Sequence, residues 1–333
     1  MSRAPIAVLH EDLAAHPAVQ AWCGMWAAQD MPERVEVLRR LETSEVYRLV
    51  GAGPAGKSVI AKRSPGAKAS IEQIVYERVL PHLPVTAPHY YGSRPTDGEG
   101  RDGGRWIFLE DVGSQRYSEE TPTHLALAAR WISRMHGAAA GLVAARFLPD
   151  GGPGRYLVHL RGARDKIEQR LPGPELTRDD IAMLQGVVAV LNALELRWTR
   201  VEAMCLGLPP TVVHGDFSPK NVYLRPNGNG LACYPIDWEI AGWGVPAIDL
   251  TRIDVAGYWA CAREWRPGLD LDTVRRLASI GHVLRLVAAI DWEADSIRFD
   301  SRRMFSRELA SMEVLVRRLA DAAWSSGVLE WVC

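Results

Sequence analysis

His214-Gly215-Asp216-Phe217-Ser218-Pro219-Lys220-Asn221 and, farther along, Ile236-Asp237-Trp238-Glu239 are the stretches that decide how this chain reads. An apolar run, Leu208 to Val213, leads into the first. Val222-Tyr223-Leu224 follows as a short strand, Asn227-Gly228-Asn229-Gly230 makes a turn, and Leu231 to Ile236 returns as a second strand. This pattern predicts a β-hairpin with Asn221 at one end and Asp237 beside it. Two oxygen ligands placed so suit magnesium, which binds hard oxygens and keeps several waters. Asp216, a few residues before Asn221, is placed to accept a proton from a substrate hydroxyl. Together they have the form of a metal-dependent phosphoryl-transfer site, with Asp216, Asn221 and Asp237 as its catalytic residues and Asn221 and Asp237 as the metal ligands.

The surrounding chain is ordinary for a folded protein. It has 333 residues, 47% hydrophobic and 24% charged, with a formal net charge of −1. That length suffices for two lobes with their own cores. The near-neutral charge gives no field to attract nucleic acid or an anionic membrane. The five cysteines are scattered without a C-x-x-C pair, as in a reduced cytoplasmic chain. No stretch is long enough to span a bilayer and no secretory signal pattern opens the chain. Monomer and homodimer both remain open.

A helix is expected near Ala18 to Ala28, with Trp22, Met25 and Trp26 on its apolar side. Strands are expected at 34–38, 45–50, 58–62, 90–92 and 106–109, with a helix over 70–80 that stops before Pro81. From Thr121 onward helical runs are expected at 121–140, 177–204, 246–264, 270–292 and 300–325. On the last of these Phe305, Leu309, Met312, Val316, Leu319 and Ala323 share a face.

The spacing H-x-D-x-x-x-x-N with a later Asp resembles the catalytic loop and metal-binding Asp of kinases. The HGD form with a downstream IDWE resembles the aminoglycoside phosphotransferase and choline kinase-like family more than protein kinases, which carry HRD and DFG. Gly244-Val245-Pro246-Ala247-Ile248-Asp249-Leu250 and Ile132-Ser133-Arg134-Met135-His136-Gly137 are similar to further segments of that family. The likeness runs from about residue 35 to about 255. It implies an α+β, bilobal protein-kinase-like fold. Residues 1–112 would form an N-terminal nucleotide-binding lobe, an antiparallel sheet plus helix with a helical extension at 1–30. Residues 113–333 would form a mainly helical catalytic and substrate-binding lobe that carries the hairpin.

The resemblance also assigns roles. Lys62, in Val59-Ile60-Ala61-Lys62, becomes the nucleotide lysine, with Glu72 as its partner ahead of Glu77. Thr43 and Ser44 stand where protein kinases have a glycine-rich loop, and become candidates to cover phosphate. The segment around Phe108 becomes the hinge, with adenine bonded to backbone at Glu110 and Val112 and Phe108 behind it. His214 and Asp249 become structural supports of the loop. ATP, with GTP as an alternative, and Mg2+ follow as cofactors, and a hydroxylated small molecule as acceptor. Glu239, Asp291, Glu293, Asp295 and Glu330, with Trp243 and other tryptophans, are candidates to hold a cationic acceptor. An antibiotic, choline or another amino alcohol, and a sugar all fit.

Two readings of another class compete. One is a non-catalytic nucleotide-binding module. The other is a P-loop NTPase, since Gly51-Ala52-Gly53-Pro54-Ala55-Gly56-Lys57-Ser58 satisfies G-x-x-x-x-G-K-[ST]. A P-loop needs a helix after the lysine to aim N–H groups at phosphate. Here Val59-Ile60-Ala61 favours strand, and Ser64-Pro65-Gly66 stops a helix. The segment is therefore expected to be a hairpin turn.

Overall fold

Alternation of apolar residues over 34–64 demands a sheet buried on one face, and such a sheet forms. The computed structural model of the protein describes residues 5–25, 31–41, 44–96, 104–171, 173, 176–228, 230–297 and 302–329. Six strands, β1 (Ala7–Leu9), β2 (Arg34–Arg40), β3 (Glu45–Val50), β4 (Val59–Ser64), β5 (Tyr90–Pro95) and β6 (Arg105–Glu110), lie in the order β1-β2-β3-β4-β6-β5. Every neighbouring pair is antiparallel.

One face of this sheet presents Val35, Val37, Tyr47, Leu49, Val59, Ala61, Trp106 and Phe108 to Ala18, Val19 and Trp22 of helix α1 (Pro17–Cys23). The Trp22 ring lies 5.3 Å from that of Phe108. Trp22 is fully buried, and removing such a side chain costs about 3–5 kcal/mol, so α1 is part of this core. The helix is shorter than its expected span, and Trp26 lies outside the described residues.

Helix α2 (Gly66–Ile74) follows Pro65 and continues as a π-helical turn, Val75–Val79, until Pro81. Its inward face buries Ala69 and Glu72, then Val75, Tyr76 and Val79. Helix α3 (Pro122–Ala139) matches its expected run. Hairpin strands β8 (Val222–Asn227) and β9 (Gly230–Pro235) pair in the expected register, with Val222 opposite Pro235. Gly228, at φ +59, supports the turn.

The chain divides into two compact units, Met1–Pro149 with His214–Ala241, and Asp150–Val213 with Gly242–Cys333. The division expected at residue 112 followed chain order. Here the segment after residue 112 groups with the sheet and the hairpin. Leu224 N–H donates to the Gln115 carbonyl and Tyr117 N–H to that of Val222. The Thr86 hydroxyl donates to the Cys233 carbonyl, and Trp131 Nε1 to that of Thr86.

The second unit contains α4 (Pro153–Arg170), α5 (Arg178–Glu195), α6 (Trp198–Met204), β7 (Thr211–Val213), β10 (Gly242–Gly244), α7 (Val255–Ala262), α8 (Leu271–Ser296) and α9 (Arg302–Ser325). The chain leaves this unit at Val213 and re-enters at Gly242, and these two residues are partners in the β7–β10 ladder. Helix α8 is the centre. Gly281 lets it approach the turn Pro246–Leu250 so closely that a Cβ would fall 1.9 Å from the Ala247 carbonyl oxygen. Leu309, Met312, Leu319 and Ala323 of α9 are buried as the periodicity predicts. The side chain of Phe305 is outside the described set.

Two expected helices are corrected. The run 177–204 is two helices with a 60° bend after Glu195. The run 246–264 is a 3-10 turn and then α7. Helix α4 and the short strands β1 and β10 were not expected. Among the described residues, no single helix is long and apolar enough to cross a membrane.

Candidate active site

Period-two alternation sends one set of sheet residues into the α1 core and the other set to the opposite face. Lys62 belongs to the second set. Its ammonium is buried and lies 2.8 Å from Glu72 Oε2 and 3.4 Å from Glu239 Oε2. It also donates to Asp237 Oδ1. Burial would lower the lysine's pKa, but the charges of Glu72, Asp237 and Glu239 outweigh it and hold Lys62 firmly protonated. Burial would also raise Asp237, yet Lys62 overrides it and keeps this carboxyl below its ordinary value. Glu72 is completely buried. Desolvation lifts it above the ordinary range despite Lys62.

The loop before the hairpin is fixed by its own residues. Gly215 has φ +82, and a Cβ there would meet the Ile240 carbonyl oxygen at 2.8 Å, so only glycine fits without displacement. His214 is fully buried and bonds at both ring nitrogens. With its proton on Nε2, it donates to the Ile236 carbonyl at 3.0 Å, and Nδ1 accepts the Asp216 N–H at 3.3 Å. One imidazole thus ties the loop at Asp216 to the strand end that precedes Asp237. Trp238 packs over the same ring, centroids 4.4 Å apart. Asp237 itself adopts φ +67, a left-handed conformation uncommon outside glycine.

Asn221 Nδ2 donates to Asp216 Oδ2 at 2.9 Å and to the Asp216 carbonyl at 3.0 Å. The Asn221 carbonyl accepts from Ile236 N–H at 2.8 Å. The hairpin therefore brings Asp216, Asn221 and Asp237 together. Lys220, largely exposed, reaches Asp216 Oδ2 at 2.6 Å.

A cavity of about 500 Å³ opens on Lys220, Asn221 and Asp237, with Asp216 behind its lining. Lys62, Glu72, Asn221 and Asp237 line it with Ile60, Leu109, Ile236 and Tyr223. Both acidic and amide groups are suited to a hard cation. Asn221 uses its nitrogen and Asp237 its Oδ1 in the bonds above. Asn221 Oδ1 and Asp237 Oδ2 have no hydrogen-bond partner among the described residues. No group of three or more His, Cys, Asp or Glu side chains forms a metal cage among those residues. Two open oxygens on a cavity wall fit Mg2+, whose shell is completed by water and phosphate.

The other expected positions are placed as follows. Phe108 is on the α1 face of β6, and its neighbour Leu109 lines the cavity in its place. Alternation decides this, since Leu109 pairs with Ile60 on the cavity side. The Glu110 N–H is committed to the His89 carbonyl, and the Glu110 carboxylate to Arg225 at 2.6 Å. Val112 is buried, and Gly113 and Ser114 line the cavity beyond it. The Ser44 hydroxyl accepts from Arg39, while Thr43 lies outside the described residues.

Among the acceptor candidates, Glu239 is held by Lys68 at 3.1 Å as well as by Lys62. Asp291 is held by His159 at 2.7 Å and Lys166 at 2.8 Å, and Lys166 also takes Asp295. Trp243 sits half-buried in β10, where its carbonyl accepts from Gly151 N–H. Glu330 is outside the described residues. Asp249 is buried in the helical unit, where its charge helps raise the hydroxyls of Tyr156 and Tyr258, both lifted chiefly by burial.

The segment 51–58 is a turn between β3 and β4 with exposed Lys57, and β4 follows it directly. The helix a P-loop requires is not there. Three arginines on the cavity wall escaped sequence reading: Arg39, Arg48 and Arg116. Arg48 is braced by Glu36 at 2.8 Å and Asp111 at 2.7 Å. Arg39 and Arg48 lie in strands, where only the sheet register reveals which face they occupy, and Arg116 lies in the segment after β6; none belongs to a motif.

An antiparallel sheet with a buried Lys–Glu pair, followed by a hairpin with an Asp–Asn–Asp set, defines a phosphotransferase of protein-kinase-like fold. Residues 34–289 match the phosphotransferase enzyme family, and the chain belongs to that family. No match is found among curated protein sequences. Three solved structures illustrate the likeness. A variant of aminoglycoside 2'-phosphotransferase-IIIa in its GDP complex is 16% identical, with a TM-score of 0.59 over 92% of this chain and 98% of that one. Choline kinase from Cryptosporidium parvum Iowa II is 10% identical, with a TM-score of 0.59 over 91% and 92%. Plasmodium vivax ethanolamine kinase is 13% identical, with a TM-score of 0.53 over 86% and 82%. At these identities the likeness is one of fold.

Proposed function

We propose that this phosphotransferase moves the γ-phosphoryl group of ATP to a hydroxyl of a small molecule in the cytoplasm. The observation that carries the reading is the fixed Asp216–Asn221 pair beside Asp237 and Lys62, all in one unit. Asp216 is held by Asn221 and Lys220 and orients the acceptor hydroxyl. As the acceptor oxygen bonds to phosphorus, Asp216 takes its proton, and the bond to the bridging oxygen breaks with its electron pair leaving on ADP. Lys62, kept charged and steered by Glu72, neutralises phosphate oxygens. Asn221 Oδ1 and Asp237 Oδ2 would hold Mg2+, which when bound screens the phosphate charge. Leu109 and Ile60 offer the apolar wall for a purine, so GTP serves as well by this criterion.

The acceptor we favour is a hydroxylated cation. Aminoglycosides, choline and ethanolamine, named in the structures of like fold, share that chemistry. Glu239, Asp291 and Asp295, each paired with a lysine, would have to exchange that partner to hold a cationic acceptor. An amino alcohol or sugar of metabolism is the second reading. A non-catalytic module is disfavoured because Asp216, Asn221 and Asp237 are all present and assembled. Acceptor-dependent ADP release, measured over aminoglycosides, macrolides, amino alcohols and sugars, tests the proposal. Release with none of them, from protein that binds ADP, counts against it.

A further inference from the structure

The strand β2 carries an irregularity with a chemical consequence. Its register against β3 shifts between Val37 and Arg39, a β-bulge at Leu38. By simple alternation Val35, Val37 and Arg39 would share the α1 face. The bulge inserts one residue and re-aims the side chains after it. Arg39 is thereby turned to the cavity face, and both Leu38 and Arg39 line the cavity.

After the bulge, Arg39 is opposite Val46, and Val46 is opposite Lys62. The two cations thus occupy one cross-strand row, two strand spacings or about 10 Å apart, in the cavity that Asp237 also lines. One donor of Arg39, Nη2, bonds Ser44 Oγ at 2.7 Å. Another, Nε, is buried with no hydrogen-bond partner. A buried, unsatisfied donor on a cation is costly unless a ligand meets it. Arg39 makes no ion pair among the described residues, unlike Arg34, Arg40 and Arg48 on the same two strands.

We propose that Arg39 is a phosphate ligand of the nucleotide and that Ser44 is its positioning residue. This rests on the nucleotide reading above and deepens it. The connection after β2 has no glycine-rich cradle. A guanidinium supplies the charge and the donors that such a loop takes from backbone N–H groups. Ser44, which sequence reading assigned to phosphate, acts through Arg39.

Calorimetric titration of the full chain with ADP and with adenosine, in the presence of Mg2+, tests the assignment. Arg39→Met should weaken ADP about tenfold, the loss of one charged hydrogen bond, and leave adenosine unchanged. Arg39→Lys should recover part of the loss. Ser44→Ala should weaken ADP less, and should add nothing to Arg39→Met in the double variant. Arg39→Gln provides the same comparison should the apolar side chain unsettle the strand. Undiminished ADP affinity in the folded Arg39 variants, or equal loss for adenosine and ADP, would overturn the proposal while leaving the nucleotide reading intact. Failure of the unaltered protein to bind either ligand would instead remove the nucleotide reading, and this assignment with it.

Discussion

Lys62 Nζ lies 2.8 Å from Glu72 Oε2, while the other oxygen of that carboxylate, Oε1, is buried without a hydrogen-bond partner. A carboxylate in such a setting is destabilising unless its charge is used. It also explains the expected effect of removing the lysine. Lys62→Met should abolish activity and destabilise the folded state by about 3–5 kcal/mol, because it leaves a buried acid unpaired. Lys57→Ala, on the exposed turn, should alter neither. Steady-state kinetics and urea unfolding of both variants test the ranking, and the reverse order would restore the P-loop reading.

Gly215→Ala should be far more damaging than an added methyl suggests. The left-handed backbone and the approach of the Ile240 carbonyl leave no room. A cost of about 1–3 kcal/mol in stability is expected, with activity reduced about a hundredfold as Asp216 moves. Thermal unfolding and kcat measured together would show it. Normal values for both would mean that the loop has slack it does not show here.

His214 should behave as a clamp. Both ring nitrogens are bonded, to the Ile236 carbonyl and the Asp216 N–H. His214→Ala should lower kcat about a hundredfold through misplacement without removing a limb from the pH–rate profile. Disappearance of an ionisation from that profile would make His214 a proton carrier.

The fold and the site were not equally legible in the sequence. Asn221 and Asp237 were readable because a short hairpin with a glycine turn leaves little freedom in register. Glu72 was readable because a short helix directly after β4 leaves few acids within reach of Lys62. The face that Phe108 takes was not readable, since an apolar run of Trp106 to Leu109 does not say which residues turn to α1 and which to the cavity. Arg39 was invisible because a bulge reverses alternation without a composition signal. Helix α4 was passed over although Tyr156, Leu160, Ala163 and Ile167 are buried at helical spacing. Its many charged residues and two internal glycines dilute that stripe.

Asp291 gives the helical unit a pH signature. Burial would raise its carboxyl, but His159 and Lys166 outweigh burial and hold it below the usual value. An acid with a depressed folded pKa contributes stability above its unfolded value of about 3.9, and loses it as pH falls through the folded value. Asp291→Asn should therefore be less stable than the unaltered protein at pH 7, and the difference should shrink as pH falls below about 4. Urea unfolding at pH 7 and in that acidic range checks this. A constant difference across that range would show that the charge of Asp291 is not what stabilises the α4–α8 contact.

The proposed mechanism stands or falls on Asp216 taking the proton of a small-molecule hydroxyl during phosphoryl transfer. Acceptor-dependent ADP release by the unaltered protein and by Asp216→Asn, with ADP affinity measured on both, probes that step. Turnover of at least one hydroxylated small molecule is expected from the unaltered protein. Asp216→Asn should be slower by about 100- to 10,000-fold, the range for a lost general base, with ADP affinity largely unchanged. Turnover by Asp216→Asn at the unaltered rate would refute the assignment.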